Sequence, residues 1–364
     1  MVTTRLHAAL DGRPLTLEEL TLEDLESIRL LLRGGSVIDW HHLDFRDHAD
    51  VDRFLRLNEF DPASEQDMSR LEELRLDAVD YLTQNFDFRI PDPVAEGVPA
   101  RDLFLMASRK GRRQVWACVV LKVMHIAHHL VGRELSTRLP ISNEDVYRTI
   151  ELKVMGVVEE LRAAGYPIVE FEWSRKTRDS QITKLLAKRS TLAASIYDKL
   201  RFRLVLRNRH DIVPMLAALT RRLIPFNYIV PGASVNHLVS FNQVIRESNT
   251  LVSLSPELQL DHSLEKQQDK AAQAPINEFS ARDYRIVNFV ADLPLRVDRY
   301  LGELREFGNV VFALTEFQLV DKATTVENER GESSHDAYKA RQHRSVRLRL
   351  MRGRRVRPTR REDE

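Results

Sequence analysis

Apolar residues in the first 165 positions recur every three or four residues, the spacing that predicts amphipathic helices. Thr21, with Asp24 three residues later, is a helix-start signal, and the Gly34-Gly35 pair is a stop signal. The predicted helices cover residues 16–33, 65–84, 112–136 and 143–164, with a proline-containing connector over 87–101. We therefore expect the first part of the chain to be mostly helical.

Beyond position 165 the pattern changes to short strands that alternate with helices. Residues 168–173 alternate between polar and apolar positions, as in a half-buried strand. The predicted strands are 168–173, 201–207, 226–230, 284–291 and 309–320, and the predicted helices are 178–192, 210–223, 294–306 and one that begins at about 331. Residues 244–282 are polar and weakly periodic, which indicates an insertion.

These elements predict an α+β protein in which a helical region precedes a mixed-sheet domain. We place the helical N-terminal region at 1–140, the sheet domain at 141–345 and a disordered, arginine-rich tail at 346–364.

Size and composition limit the function classes. The 364 residues are 43% hydrophobic and 30% charged, enough for a packed core and about two domains. A net charge of +1 excludes a globally basic nucleic-acid binder. The only cysteine, Cys118, allows no intrachain disulfide and fits a reducing compartment. The N-terminus lacks the apolar stretch of a signal peptide, and the run from Val115 to Val131 contains Lys122 and three histidines. We expect a soluble, cytoplasmic protein that crosses no membrane.

The histidines in that run, His125, His128 and His129, lie at helical spacing but lack the glutamate of a His-Glu-x-x-His metal site. We interpret them as residues of a packed helix.

Candidate chemistry begins with a cluster of cations in residues 174–184, followed by Asp198 at the entrance of a predicted strand. Glu316 and Gln318 lie two residues apart inside another predicted strand and therefore face the same side of a sheet. An acid within an apolar strand is costly unless it is paired or used. Cations for phosphates and a carboxylate pair for Mg²⁺ are the groups that phosphoryl transfer requires.

Over about residues 165–345 the chain resembles the RelA/SpoT-type alarmone synthetase domain. Lys176, Ser180 and Lys184 reproduce the lysine-serine-lysine spacing of that family, and Lys188 continues the same helix. Asp198 is similar to the family's acidic metal ligand, which is followed five residues later by an arginine, here Arg203.

Two more motifs follow in the family's order. Glu316-Phe317-Gln318 resembles the Glu-x-Gln strand, Glu329-Arg330-Gly331 the Glu-x-Gly turn, and His335-Asp336-Ala337-Tyr338-Lys339 the His-x-x-Tyr-Lys helix. The departures lie mostly on the acceptor side. Ser174 stands where the family has arginine, and Asn288 stands where it has histidine.

The resemblance implies the nucleotidyltransferase-like mixed sheet and a transfer of pyrophosphate from ATP to a ribose 3′-hydroxyl, with Mg²⁺ as cofactor. It implies that Asp198 and Glu316 are catalytic and bind the metal, with Glu316 also able to accept the hydroxyl proton. The implied ATP and phosphate ligands are Arg175, Lys176, Ser180, Lys184, Lys188 and Arg203. The implied acceptor-side residues are Tyr284, which stacks on the base, and Asn288, Gln318, His335 and Lys339.

Three functions remain open at this stage. The first is synthesis of a guanosine alarmone from GDP or GTP, the signal of the bacterial stringent response. The second is pyrophosphorylation of the 3′-end of tRNA, which the altered acceptor side and the ten arginines between Arg341 and Arg361 favour. The third is an inactive nucleotide-binding scaffold, which Ser174 and Asn288 favour and the retained Asp198 and Glu316 oppose.

Overall fold

The computed structural model describes residues 13–33, 43–187, 200–254, 281, 283–301, 308–330 and 335–351. The part before the first strand is helical, as predicted. Its helices are α1 (Leu22–Arg33), α2 (His48–Leu57), α3 (Glu65–Phe86), α4 (Asp92–Ala95), α5 (Asp102–Ser108), α6 (Arg112–Arg138) and α7 (Asn143–Ala163). The predicted capping pair at the start of α1 is present, because the Thr21 backbone N–H donates to Asp24 Oδ2 at 2.7 Å.

The second part of the chain forms one five-stranded mixed sheet. Its strands are β1 (Ile168–Arg175), β2 (Leu200–Leu206), β3 (Val235–Asn236), β4 (Val287–Arg296) and β5 (Val310–Asp321). The order is β1-β2-β5-β4-β3, with β2 and β5 parallel and the other neighbours antiparallel. The helices of this part are α8 (Arg178–Ala187), α9 (Ile212–Arg222), α10 (Phe241–Arg246), α11 (Asn249–Leu254), α12 (Lys322–Asn328) and α13 (His335–Leu350). The predicted α+β class is confirmed.

One face of the sheet is a row of aromatic rings. Phe171, Phe202, Phe317 and Phe289 stack across four strands, with neighbouring ring centroids 6.0, 5.7 and 5.5 Å apart. The last three of these side chains are fully buried. The other face carries polar residues at the alternate positions of the same strands, so the sheet has a core face and a functional face.

The first helix of the N-terminal region shares a core with the sheet. Leu25 and Ile28 of α1 lie in the same hydrophobic core as Phe202 and Phe289 of the sheet. A second core lies among the helices of residues 43–124. α6 is apolar and long enough to cross a membrane, by length and composition only. It packs against α3, α5 and β5, which buries part of its apolar surface.

Several predicted elements were wrong. Residues 226–230 contain a 3₁₀ turn at Phe226–Tyr228 rather than a strand. The predicted helix 294–306 starts inside β4, because residues up to Arg296 pair with β5; residues 302–307 lie outside the described part. The predicted insertion 244–282 begins within α10 and continues with α11, and residues 255–280 are not described. α13 extends to Leu350, so residues 346–350 of the predicted disordered tail are helical.

Candidate active site

The functional face of the sheet brings together polar residues from three strands. Arg203 of β2 pairs with Gln318 of β5, which pairs in turn with Asn288 of β4. Two residues along, Arg201 pairs with Glu316. Because alternate residues of a strand share a face, these five side chains point to the same side of the sheet.

Glu316 lies at the centre of this group. Its carboxylate is half-buried, and Gln318 Nε2 approaches Glu316 Oε1 at 3.4 Å. α6 crosses the first residues of β5, where Gly132 lies against Phe312, four residues before Glu316. The helix therefore covers the start of the strand and leaves Glu316 partly accessible.

Tyr284 lies next to the same charges. Burial raises the pKa of its hydroxyl, the nearby positive charges of Arg203 and Arg201 act to lower that pKa, and the negative charge of Glu316 acts to raise it. Three sequence segments that are far apart, around 201–203, 284–288 and 316–318, therefore meet at one place. Tyr284, the predicted base-stacking residue, thus lies within electrostatic range of Glu316, the predicted catalytic carboxylate.

Two polar atoms of this site have no hydrogen-bond partner among the described residues. They are Arg203 Nε, a donor, and Asn288 Oδ1, an acceptor, and both are buried. The Asn288 residue is only 5% exposed. A buried polar atom without a partner costs about 1–3 kcal/mol, so each such atom in a native fold calls for an explanation. A polar ligand on this face would satisfy both.

The predicted phosphate-binding segment leaves the sheet in the neighbouring row. Arg175, the last residue of β1, pairs with Leu200, which pairs with Thr315 beside Glu316. The segment then turns into α8, and the turn is fixed by Gln181 Nε2, which donates to the Lys176 carbonyl at 2.9 Å.

The side chains of that turn are held locally. Thr177 Oγ1 lies 3.0 Å from Ser180 Oγ and accepts a hydrogen bond from the Ser180 backbone N–H. Thr177 therefore caps the start of α8 and fixes the Ser180 hydroxyl. Lys176 and Lys184 are both half-buried along this segment.

Arg175 has a structural pairing. Its guanidinium contacts Glu151 through two hydrogen bonds of 2.5 and 2.7 Å and also contacts Glu144. These hydrogen bonds raise the pKa of Arg175 above its ordinary value. The pairing ties the end of β1 to α7. A role for Arg175 in phosphate binding stays a prediction.

Three of the predicted site residues are not described. Lys188 and Asp198 lie outside the described residues, and so does the side chain of His335, although its backbone begins α13. Lys339 is half-buried on α13. α13 packs on α8 through a small cluster formed by Leu186, Ala187, Tyr338 and Val346.

The arrangement suits a cation held jointly with a substrate. Across the described ranges, no group of three or more histidine, cysteine, aspartate or glutamate side chains is placed to hold a metal. Glu316 supplies one carboxylate, and Gln318 and Asn288 supply amide oxygens nearby. Mg²⁺ prefers hard oxygen ligands and is usually held by one or two carboxylates together with substrate phosphates. The donor types present therefore fit Mg²⁺.

The histidines of α6 pack as predicted, but they serve a polar network that sequence reasoning missed. His129 Nε2 lies 2.7 Å from Asp292 Oδ2 on β4, and Arg133 also contacts this carboxylate. His128 Nδ1 lies 2.8 Å from the Tyr228 hydroxyl. Burial lowers the pKa of His125 to about 3. The sequence signal that could have revealed this network is Asp292 itself, an acid within a largely apolar strand over 287–295.

No protein-family model matches the chain, and no curated protein matches it. Among solved structures, small alarmone synthetase 1 of Bacillus subtilis bound to its product pppGpp matches at 16% identity and a TM-score of 0.30, over 56% of this chain and 89% of that one.

Two further matches are similar in extent. Small alarmone synthetase 2 of Bacillus subtilis matches at 13% identity and a TM-score of 0.31, over 57% of this chain and 94% of that one. A GTP pyrophosphokinase family protein of Streptococcus pneumoniae matches at 15% identity and a TM-score of 0.29, over 58% and 90%.

Proposed function

We propose that this chain is an ATP- and Mg²⁺-dependent pyrophosphotransferase of the RelA/SpoT type, whose acceptor is the ribose 3′-hydroxyl of GDP or GTP. The observation that carries the proposal is the presence of Arg201, Arg203 and Glu316 on one sheet face, with Tyr284 within electrostatic range of all three. Transfer of a phosphoryl-type group depends on positioning and on charge neutralisation, and this face offers both cations and a carboxylate.

The donor side of the site is assigned to α8 and its preceding turn. Lys176 and Lys184, with Ser180 and Lys188, hold the ATP phosphates. Glu316 and Asp198 hold Mg²⁺, which when bound neutralises charge on the transferred group. Glu316 also accepts the proton of the attacking hydroxyl, since a carboxylate in contact with that hydroxyl is a suitable base.

The acceptor side is assigned to β4 and the segment before it. Tyr284 stacks on the base. Asn288 Oδ1, which is buried and has no hydrogen-bond partner among the described residues, offers an acceptor to a polar group of the bound nucleotide. The choice of a guanosine acceptor rests on the sequence resemblance. Gln318 completes the row, and the sequence resemblance assigns His335 and Lys339 to the acceptor side.

The test uses the full chain with Mg²⁺ and ATP labelled at its terminal phosphates, offered GDP, GTP and bulk tRNA in parallel. We expect label on a guanosine nucleotide and release of AMP. Glu316→Gln should lower the rate by about 10²-fold or more, because a general base contributes that much. Glu170→Gln, a change of the same kind at an exposed position of β1, should leave the rate unchanged. Equal rates for Glu316→Gln and the unaltered chain would contradict the proposal.

A second acceptor, the 3′-end of tRNA, is favoured by one observation. The arginine-rich α13 packs directly on α8, and Arg349 Nη1 donates to the Leu186 carbonyl at 2.8 Å. This places further cations beside the phosphate-binding helix, where a polyanionic acceptor would lie. If the label appears on tRNA alone in the same assay, then the acceptor is the 3′-end of tRNA rather than a guanosine nucleotide.

A further inference from the structure

A row of exposed aromatic rings lies in the helical region and uses none of the residues of the candidate active site. Tyr81, Phe86, Phe88 and Trp116 form this row, here called the aromatic ladder. Successive ring centroids are 5.8, 5.6 and 5.6 Å apart. The first three residues are 48%, 54% and 37% exposed. Exposed apolar side chains that form one contiguous patch, rather than lying singly, mark interaction sites on protein surfaces.

The ladder is held rigidly by the fold. α3 ends at Phe86, and Asp87 adopts the left-handed conformation with φ 54°, which reverses the chain so that Phe88 meets Phe86. Trp116 is half-buried on α6 and packs against the second hydrophobic core. Rings fixed in this way lose little conformational entropy when they bind a partner.

Positive charge surrounds one end of the ladder. Arg112 and Arg113 precede Trp116 by four and three residues on α6, so they lie one helical turn from its ring. The exposed cations here are Arg89, Arg109, Lys110, Arg112 and Arg113. The first turn of α6 contains no acidic residue to offset them. The acids near the ladder include Asp77 and Asp80 before Tyr81, Asp87 in the turn, and Asp92 and Glu96 at the two ends of α4, which packs against both α3 and α6. The cations are concentrated at the start of α6, before Trp116.

We propose that the aromatic ladder binds single-stranded nucleic acid. Aromatic rings bind unpaired bases by stacking, and cations next to them contact the phosphates of the same strand. In a duplex the base faces are already stacked, so the ladder would have no base to contact. An acidic peptide would use the cations but leave the rings without a matching partner.

The test measures the fluorescence anisotropy of labelled 12-nucleotide single strands, oligo-U and oligo-dT, with the full chain at several salt concentrations. We expect the double variant Phe86→Ala/Phe88→Ala to weaken binding tenfold or more at every salt concentration, since each stacked base contributes strongly. Arg112→Gln/Arg113→Gln should lower the salt slope of log K by about 1.4, from two lost phosphate contacts at ~0.7 each. Leu130→Ala, at an exposed apolar position further along α6, is the control and should bind normally.

Comparison of oligo-U with oligo-dT tells whether the ladder prefers RNA or DNA. Either preference supports the proposal if the ladder variants weaken the binding of the preferred strand. Circular dichroism confirms that each variant is folded. Ladder variants that bind as tightly as the unaltered chain would overturn the proposal, as would equal affinity for a duplex of the same length. Loss of binding only on removal of residues 352–364 would also overturn it. Because none of these residues belongs to the sheet site, pyrophosphoryl transfer can fail while this proposal stands, and the reverse.

Discussion

Gly132 on α6 is the position where the packing of the helical region on the sheet is tightest. A Cβ atom built there would lie 2.7 Å from Cδ2 of the Phe312 ring and 2.8 Å from the carbonyl oxygen of Val310. Carbon atoms in contact are normally 3.5–4.0 Å apart. The backbone of β5 cannot move away without disturbing its hydrogen bonds to β4, so Gly132→Ala forces α6 off the strand.

The size of the effect follows from two opposing terms. Replacing a glycine inside a helix by alanine stabilises by about 0.5–1 kcal/mol, because the unfolded chain loses conformational freedom. Inserting a methyl group into a packed contact costs about 1–3 kcal/mol. At Gly132 both terms apply. Gly156 on α7 is a matched control, since its Cβ would meet nothing within 4 Å and it is exposed. Only the favourable term applies there.

Urea unfolding followed by circular dichroism measures both variants against the unaltered chain. We expect Gly156→Ala to raise the free energy of unfolding. The free energy of unfolding of Gly132→Ala should be about 1–3 kcal/mol lower than that of Gly156→Ala. If the two alanine variants are equally stable, then α6 does not sit on β5 as described, and the account of how Glu316 is left accessible fails with it.

Two further perturbations test the buried polar contacts. Lys153 Nζ lies 2.5 Å from Glu59 Oε1 and 3.2 Å from the Pro294 carbonyl oxygen, so Lys153→Met leaves a buried carboxylate unpaired and should lower the free energy of unfolding by about 3–5 kcal/mol. Adding Glu59→Gln should restore part of that loss, and a double variant as unstable as the single one would count against the pairing. Burial lowers the pKa of His125 to about 3, below its ordinary value of 6.5, so its contribution to stability is complete above about pH 6.5 and is lost as pH falls toward 3. The free energy of unfolding of His125→Gln should therefore fall less steeply between about pH 6.5 and pH 3 than that of the unaltered chain. An unchanged dependence on pH would contradict this.

The functional face was predictable from alternation, although its assembly was not. Arg201 and Arg203, and Glu316 and Gln318, are visible in the sequence as polar residues two apart within apolar runs, which places each pair on one face of a strand. The order of the strands and their register decide which pairs meet. Those depend on long-range pairing, and no local pattern encodes them.

The misassigned helix at 294–306 has a specific cause. Proline is frequent at the first position of helices, and the segment after Pro294 mixes apolar and charged residues as an amphipathic helix does. In the structure Pro294 lies in β4 opposite Phe312. β3 pairs with β4 only at Val287 and Asn288, so the far side of β4 at Pro294 needs no backbone donor there. The sheet edge, which the sequence does not reveal, makes the proline acceptable in a strand.

Asp292 and Glu316 show what separates a structural acid from a candidate catalytic one. Both interrupt apolar strands on the same face of the sheet, and the sequence signal for each is the same. The side chain of Asp292 is 3% exposed and is held by His129 and Arg133 from α6, which cover it. Glu316 lies beyond the part of β5 that α6 crosses and stays half-buried beside Tyr284 and two arginines. The covering helix, rather than the acid itself, decides the role, because a carboxylate reacts only where a substrate can reach it.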